Sequence, residues 1–265
     1  MLKKFLASFL VAFTMISTTS LATTTSVSEV INKNKLDNGV ISVNYNKDSK
    51  IKVMISKDNK KYSYNLNNQS IQIPLQLGNG QYNVFILENI EGNKYKVLSK
   101  ENINLQLQDQ NKVYLQPIQL INWNNDMNAI KKAKELTQYC KDDEEKVMAI
   151  YNYVVNNIAY DYNKAKTVKT GYVPCIDEVL KNSKGICYDY SSLFAGMLRS
   201  VGVPTKLVMG YKNDIKTYHA WNQVYLQKSN KWVTIDTTYD SCLKNKNLSL
   251  SMIKNSNQYK VSKEY

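Results

Sequence analysis

Three residues of this chain have the types and the spacing for nucleophilic chemistry: Cys187, His219 and Asp236. Cys187 stands in the segment Gly185-Ile186-Cys187-Tyr188-Asp189-Tyr190, a glycine turn that opens a helical run burying Leu193, Phe194, Met197 and Leu198. A thiol in the first turn of a helix feels the positive end of the helix dipole, which favours thiolate over thiol. The backbone N–H groups of Cys187 and Tyr188 are unpaired there and can face the oxygen of a carbonyl under attack. A small core cysteine would occupy the same position equally well, so this segment alone does not separate the two readings. The histidine does: His219 is the single histidine of the chain, so any thiol–imidazole pair must use it. It lies in Tyr218-His219-Ala220-Trp221-Asn222-Gln223-Val224-Tyr225-Leu226, a β-branched and aromatic run that predicts a strand. A turn over 227–230 leads into a second strand, Lys231 to Asp236. A symmetric hairpin pairs Leu226 with Lys231 and sets His219 opposite Thr238, with Asp236 a diagonal neighbour on the same face. A thiol, an imidazole and a carboxylate so arranged can attack a carbonyl, move the proton and hold the ring. Tyr218 and Trp221 flank the histidine as candidate substrate-binding residues.

The elements that must position these groups follow from periodicity. From about Val40 to Leu115 apolar and polar residues alternate, as in Ile41-Val43-Tyr45, Ile51-Val53-Ile55, Ile71-Ile73-Leu75-Leu77, Tyr82-Val84-Ile86, Tyr95-Val97 and Ile103-Leu105-Leu107. Turn signals such as Asp58-Asn59 and Gly78-Asn79-Gly80 separate them. This predicts a small all-β sandwich of immunoglobulin or fibronectin type over residues 37–117, serving as a spacer or a binding surface. Pro117 marks a change of texture, and residues 118–265 read as an α+β unit. Asp126 is placed to cap a helix with Ile130, Ala133, Leu136 and Tyr139 on one face. Asp142 and Glu145 make a capping-box start for a second helix, bearing Val147, Ile150, Tyr151, Val154, Val155 and Ile158. The tyrosine-rich stretch 160–173 has no period and is expected to be a surface loop. Gly202 and Pro204 stop the cysteine helix. The Lys, Asn and Ser-rich tail from Leu243 is expected to close a sheet edge or pack as a short element.

Composition bounds the setting. Lys3 and Lys4, the apolar stretch Phe5 to Ile16 and the small residues Ser20-Leu21-Ala22 have the form of a secretory signal over residues 1–22, followed by a linker over 23–36. The chain is therefore expected to be secreted or cell-wall associated. Its formal charge of +13 falls by two when Lys3 and Lys4 are removed. Arg199 is the single arginine, and the scattered lysines lack the clusters and bidentate forks that nucleic-acid recognition uses. An anionic cell wall is the partner surface that the charge suggests, and a monomer is expected. The four cysteines, Cys140, Cys175, Cys187 and Cys242, with one histidine do not have the spacing of a zinc site, so neither a metal nor another cofactor is expected. Cys140 reads as a thiol on a helix face, with one disulfide left open among the three cysteines other than Cys187.

Four segments taken together, Gly185-Ile186-Cys187, Gly202-Val203-Pro204, His219-Ala220-Trp221 and Trp232-Val233-Thr234-Ile235-Asp236, resemble the transglutaminase-like superfamily of papain-type fold. The resemblance runs from roughly Asn122 to Asp240. It implies a cysteine helix packed on an antiparallel sheet, with Cys187 as nucleophile, His219 as base and later acid, and Asp236 as the group that orients the ring. It implies an acyl transfer from a protein or peptide amide through a thioester, ended by an amine in a cross-linking enzyme or by water in a peptidase or amidase. A non-catalytic surface-binding protein is the alternative of another class, and the presence of all three residues speaks against it. One departure stands out: the family commonly has valine and glutamate after His-Ala-Trp, where this chain has Asn222 and Gln223. That change is expected to alter substrate polarity.

Overall fold

The computed structural model describes residues 30–66 and 69–265, so the leader-like segment over residues 1–22 lies outside the described residues. The first half is built on period-2 burial. Strands β1 (Ile31–Asn32), β2 (Val40–Val43) and β5 (Ile71–Pro74) form a three-stranded sheet, and β3 (Ile51–Lys57), β4 (Lys60–Leu66), β6 (Gly80–Glu91) and β7 (Lys94–Leu105) form a four-stranded one in the order β4-β3-β6-β7. All pairings are antiparallel. Val53, Ile55, Tyr82, Val84 and Ile86 from one sheet and Ile41, Val43 and Ile73 from the other bury into a common core. β4 was not expected from the sequence, because its inward face is carried by Tyr62, Tyr64 and Leu66 between lysines and asparagines. Conversely, the segments read around Tyr95-Val97 and Ile103-Leu105 are one long strand, and Val97 is exposed on it.

This core does not end at the last strand. Ile118, Leu120, Ile121, Ala195, Leu207 and Tyr265 belong to the same apolar cluster, so the β-rich region and the α+β region are packed against each other. After a 3-10 turn over Gln110–Leu115 come helices α1 (Asn128–Thr137) and α2 (Asp143–Asn157), the two-residue strand β8 (Ala159–Tyr160), and helices α3 (Tyr162–Thr167) and α4 (Ile176–Asn182). Asp126 does not cap α1. The carboxylate of Asp177, from α4, instead accepts from the N–H groups of Asn128 and Ala129 at 3.0 and 2.8 Å. Tyr139 lies past the helix and is exposed. Asp142 does cap α2, accepting from Glu145 N–H at 2.9 Å. The stretch 160–173, expected to be a loop, contains α3, whose N-cap Asp161 holds the N–H groups of Asn163 and Lys164. The cap outweighs the missing apolar period in so short a helix.

The short strand β9 (Lys184–Gly185) pairs in parallel with β8 and leads into α5 (Cys187–Ser200). From Asp189 to Arg199 every residue of α5 is buried, because it packs on α1, α2, α4 and α6 on one side and on strands β10 and β11 on the other. Those strands belong to a five-stranded antiparallel sheet in the order β13-β12-β11-β10-β14, with β10 (Thr205–Lys212), β11 (His219–Leu226), β12 (Lys231–Ile235), β13 (Ile253–Lys254) and β14 (Tyr259–Glu264). Helix α6 (Thr237–Lys244) follows β12 directly. The tail thus supplies both edge strands, while Leu248, Leu250 and Ile253 stay exposed. Among the described residues no helix is long and apolar enough to cross a membrane.

Arg199 fastens these pieces together. Its guanidinium is buried and donates to three backbone carbonyls: Thr205 at 2.8 Å, Gln116 at 2.7 Å and Tyr265 at 3.0 Å. The cysteine helix, the segment leaving the β-rich region and the terminal strand are joined through one side chain.

Candidate active site

Gly185 and Asp189 set the start of α5. The Asp189 carboxylate reaches back to the Ile186 N–H at 2.8 Å, and a Cβ at Gly185 would lie 2.5 Å from the Asp189 Cβ, so only glycine leaves room for that approach. The same buried carboxylate accepts from Tyr172 at 2.5 Å and pairs with Lys164 at 2.7 Å, which ties α3 and the following loop to the helix start. Cys187 therefore sits partly exposed at the first position of a helix whose entry is held from three sides. The N–H groups of Cys187 and Tyr188 belong to the turn that has no intrahelical acceptors, the position expected for an oxyanion site. Tyr160 borders the thiol; burial, followed by the charge of Cys187, pushes its phenol up to about 12.

His219 opens β11 and is buried, 5% exposed. Its Nε2 lies 2.8 Å from Asp236 Oδ2, and Cys187 is near enough to the same ring to raise it. With Nε2 on the carboxylate, Nδ1 is the nitrogen left for the thiol. Burial is the largest influence on the imidazole and disfavours its charged form. The Asp236 charge, the hydrogen bond to Asp236 and the contact with Cys187 outweigh it, and the ring is raised to about 10. The direction favours the charged imidazolium.

The hairpin register is the one expected, with Asn222 opposite Ile235 and Leu226 opposite Lys231. The strand, however, ends at Ile235. Asp236 is the N-cap of α6, accepting the Tyr239 N–H on Oδ1 at 3.0 Å. One fully buried carboxylate thus starts a helix with one oxygen and holds the histidine with the other.

Two expectations need correction. Trp221 is buried, 1% exposed, with its ring stacked beside His219 and packed on Tyr259 at 5.0 Å between centroids. It backs the imidazole and presents no face to a substrate. Asn222 likewise points inward, and its amide donates to the carbonyls of Ser191 on α5 and Lys206 on β10, both at 3.0 Å. The family departure at this position therefore cross-links the cysteine helix to the sheet rather than changing the polarity of a substrate surface. Tyr218, by contrast, is half exposed and stands edge-on to Tyr211 at 5.4 Å, next to the histidine. The sequence reading missed Tyr259, which donates its hydroxyl to Asp236 Oδ2 at 3.1 Å from β14. Nothing in a lysine- and asparagine-rich tail marks one tyrosine out; only the sheet order brings it here. Cys140, Cys175, Cys187 and Cys242 are all free thiols, and Cys140 lies beyond the end of α1 rather than on a helix face. Among the described residues no cluster of side chains has the make-up of a metal site.

Comparison with known proteins agrees with this geometry. Residues 130–237 match the family model of the transglutaminase-like superfamily. The chain is 31% identical over 120 residues to kyphoscoliosis peptidase of Mus musculus, a match covering 41% of this chain and 18% of that protein. It is 31% identical over 119 residues to the UPF0252 protein MJ1282 of Methanocaldococcus jannaschii, covering 40% of this chain and 33% of the relative. The chain thus spans a third or less of the length of these curated relatives. Among solved structures, the periplasmic domain of TgpA from Pseudomonas aeruginosa aligns with 81% of this chain and 94% of its own, at 13% identity and a TM-score of 0.43. Residues 130–237, which carry the thiol, the imidazole and the carboxylate described above, are the transglutaminase-like domain of this chain.

Proposed function

We propose that the chain is an exported cysteine acyltransferase that acts on protein or peptide amides through a thioester on Cys187. The observation that carries the reading is the single histidine held by Asp236 through Nε2, with Cys187 at the start of α5 acting on the same ring. The Cys187 thiolate adds to an amide carbonyl, and the N–H groups at the start of α5 receive the negative charge that develops on oxygen. The carbon–nitrogen bond then breaks, and the imidazolium of His219 gives its proton to the departing amine. A thioester and a neutral imidazole remain. An incoming amine or water attacks the thioester, His219 takes its proton, and the thiolate leaves, which restores the starting pair. Ammonia is the first product when the substrate is a glutamine side chain.

Cross-linking and hydrolysis share every step up to the thioester. The name peptidase carried by one relative supports water as the acceptor, and the burial of His219 supports an acceptor that must be admitted. The leader-like residues 1–22 and the basic charge support export to an anionic envelope. The test is to incubate the protein, beside Cys187→Ala, with a glutamine-containing peptide and a labelled primary amine, following mass and ammonia. Amine incorporation that needs Cys187 identifies a cross-linking enzyme. Deamidation or backbone cleavage that needs Cys187 identifies a hydrolase. Equal, slow alkylation of all four thiols by iodoacetamide would overturn the reading, because an activated nucleophile must label ahead of the rest.

A further inference from the structure

We propose that Tyr259 is a positioning residue of this site: by donating its hydroxyl to the Asp236 oxygen that also holds His219, it sets how strongly the carboxylate grips the imidazole. The inference rests on the acyl-transfer reading of Cys187, His219 and Asp236.

The geometry is specific. Asp236 Oδ2 accepts from His219 Nε2 at 2.8 Å and from the Tyr259 hydroxyl at 3.1 Å, while Oδ1 accepts from the Tyr239 N–H at 3.0 Å. The carboxylate is fully buried, so these donors and not water share its charge. A donor on the same oxygen as the imidazole draws electron density away from the ring. Burial, with Asp236 next in weight, holds the Tyr259 phenol far above its ordinary range, so it remains a donor at any pH the protein meets.

The fold makes an unusual accommodation to bring this hydroxyl in. Tyr259 begins β14 opposite Lys212, and the β10–β14 pairing shifts register between Met209 and Gly210. Gly210, which faces His219 across β10 and β11, has no room for a side chain: a Cβ would lie 2.0 Å from the Lys260 carbonyl and 3.0 Å from the Trp221 ring. The Trp221 ring packs between the imidazole and Tyr259, so ring and hydroxyl are fixed by separate contacts. The other charged or titratable groups near the phenol are Lys212 of β10, 5.5 Å from its ring centre and paired with Asp214, and Tyr239 and Asp240 of α6.

Because His219 is the single histidine, its ring gives the single imidazole signal in a histidine-labelled sample of the whole chain, and its titration needs no substrate. Tyr259→Phe keeps the ring against Trp221 and removes the donor. The expected result is an upward shift of the imidazole midpoint by about half a unit or more, as the carboxylate turns its full charge on the ring. In an Asp236→Asn background the same substitution is expected to shift nothing further. A midpoint in Tyr259→Phe equal to the parent's, with a folded spectrum, would overturn the proposal and leave Tyr259 as packing. Should Tyr259→Phe fail to fold, 3,5-difluorotyrosine placed at 259 keeps the ring, donates more strongly and is expected to move the midpoint down; no movement overturns the proposal equally. Failure of the acyl-transfer reading is seen separately, as iodoacetamide labelling of Cys187 no faster than that of Cys140, Cys175 and Cys242.

Discussion

The two halves of the molecule bury different things. Among the described residues before the 3-10 turn at 110–115, the buried polar side chains are Ser56, Gln76 and Glu88, and Glu88 lies at the periphery with Lys47 and Lys96 beside it. The α+β half buries Asp189, Arg199, Lys212, His219, Asn222, Asp236 and Asp240, with hydroxyls around them. Burying a charge is costly unless it is paired and hydrogen-bonded. The first half is held by apolar area, which many residues can supply. The second spends part of its stability on buried charged and polar groups, and five of these seven lie on α5 or are bonded to it or to Asp236. Substitutions should therefore separate, with activity and the imidazole titration changing near Asp236 and stability alone changing in the β-rich half.

The sharpest test is Asp236→Asn. Asparagine caps a helix about as well as aspartate, so α6 keeps its start, and the unfolding midpoint at neutral pH should fall only by what the charged ring contributes to the parent. The imidazole loses the carboxylate that raises it, and its midpoint is expected to fall from about 10 toward the ordinary 6.5, since burial is then opposed by Cys187 alone. Turnover of the glutamine peptide should drop by about 10³ to 10⁴, the scale seen when a triad carboxylate is neutralised. In the parent a group raised on folding contributes stability that is full below its unfolded value near 6.5 and is lost as pH rises through about 10. Denaturation at pH 6 and pH 10 should show that loss in the parent and not in Asp236→Asn. A parent whose stability is flat across this window would mean that the ring is not charged at neutral pH.

Arg199→Met is expected to do the reverse. It leaves the carbonyls of Thr205, Gln116 and Tyr265 buried without a donor, at about 1 to 3 kcal/mol each before relaxation, so urea unfolding should show a loss of at least about 3 kcal/mol. The imidazole titration of the fraction that folds should be that of the parent. Gly185→Ala comes next. Its Cβ would meet Asp189 at 2.5 Å, so the helix start must move, and about 1 to 3 kcal/mol of strain is expected. That movement sits beside the nucleophile, so slower labelling of Cys187 should accompany the stability loss.

What could be read from the residues follows the same division. Alternation exposed most strands of the first half, since each apolar side chain reports its own burial. It failed at β4, where tyrosines spaced by lysine, serine and asparagine do the burying, and it split β7 in two, since the middle of that half-exposed strand shows no apolar period. In the second half the cysteine, histidine and aspartate were legible because they are rare or sit in recognisable local settings. The hairpin register was legible too, although Asp236 reaches the histidine as a helix cap rather than as a strand neighbour. Tyr259, Asn222 and the Asp177 cap on α1 were not legible, because each acts across a contact between elements distant in the chain. Trp221 was misread for a related reason: an aromatic beside the candidate histidine has the same sequence whether it faces substrate or the sheet edge behind it.

The smallest expected effect lies in the β-rich half and is the control for all the others. Ile55 is fully buried on β3 among apolar neighbours, and Ile55→Val removes one methylene without adding a polar group. About 1 kcal/mol of stability should be lost, measured by urea unfolding. The imidazole titration and the rate of Cys187 labelling should match the parent, because no charged group near Asp236 touches this site. Yet the core that holds Ile55 continues through Tyr64 to Tyr265 and Ala195, and so to the buried side of the cysteine helix. A change in Cys187 labelling in Ile55→Val would show that the shared core couples the halves, and that the β-rich region supports the nucleophile as well as the fold.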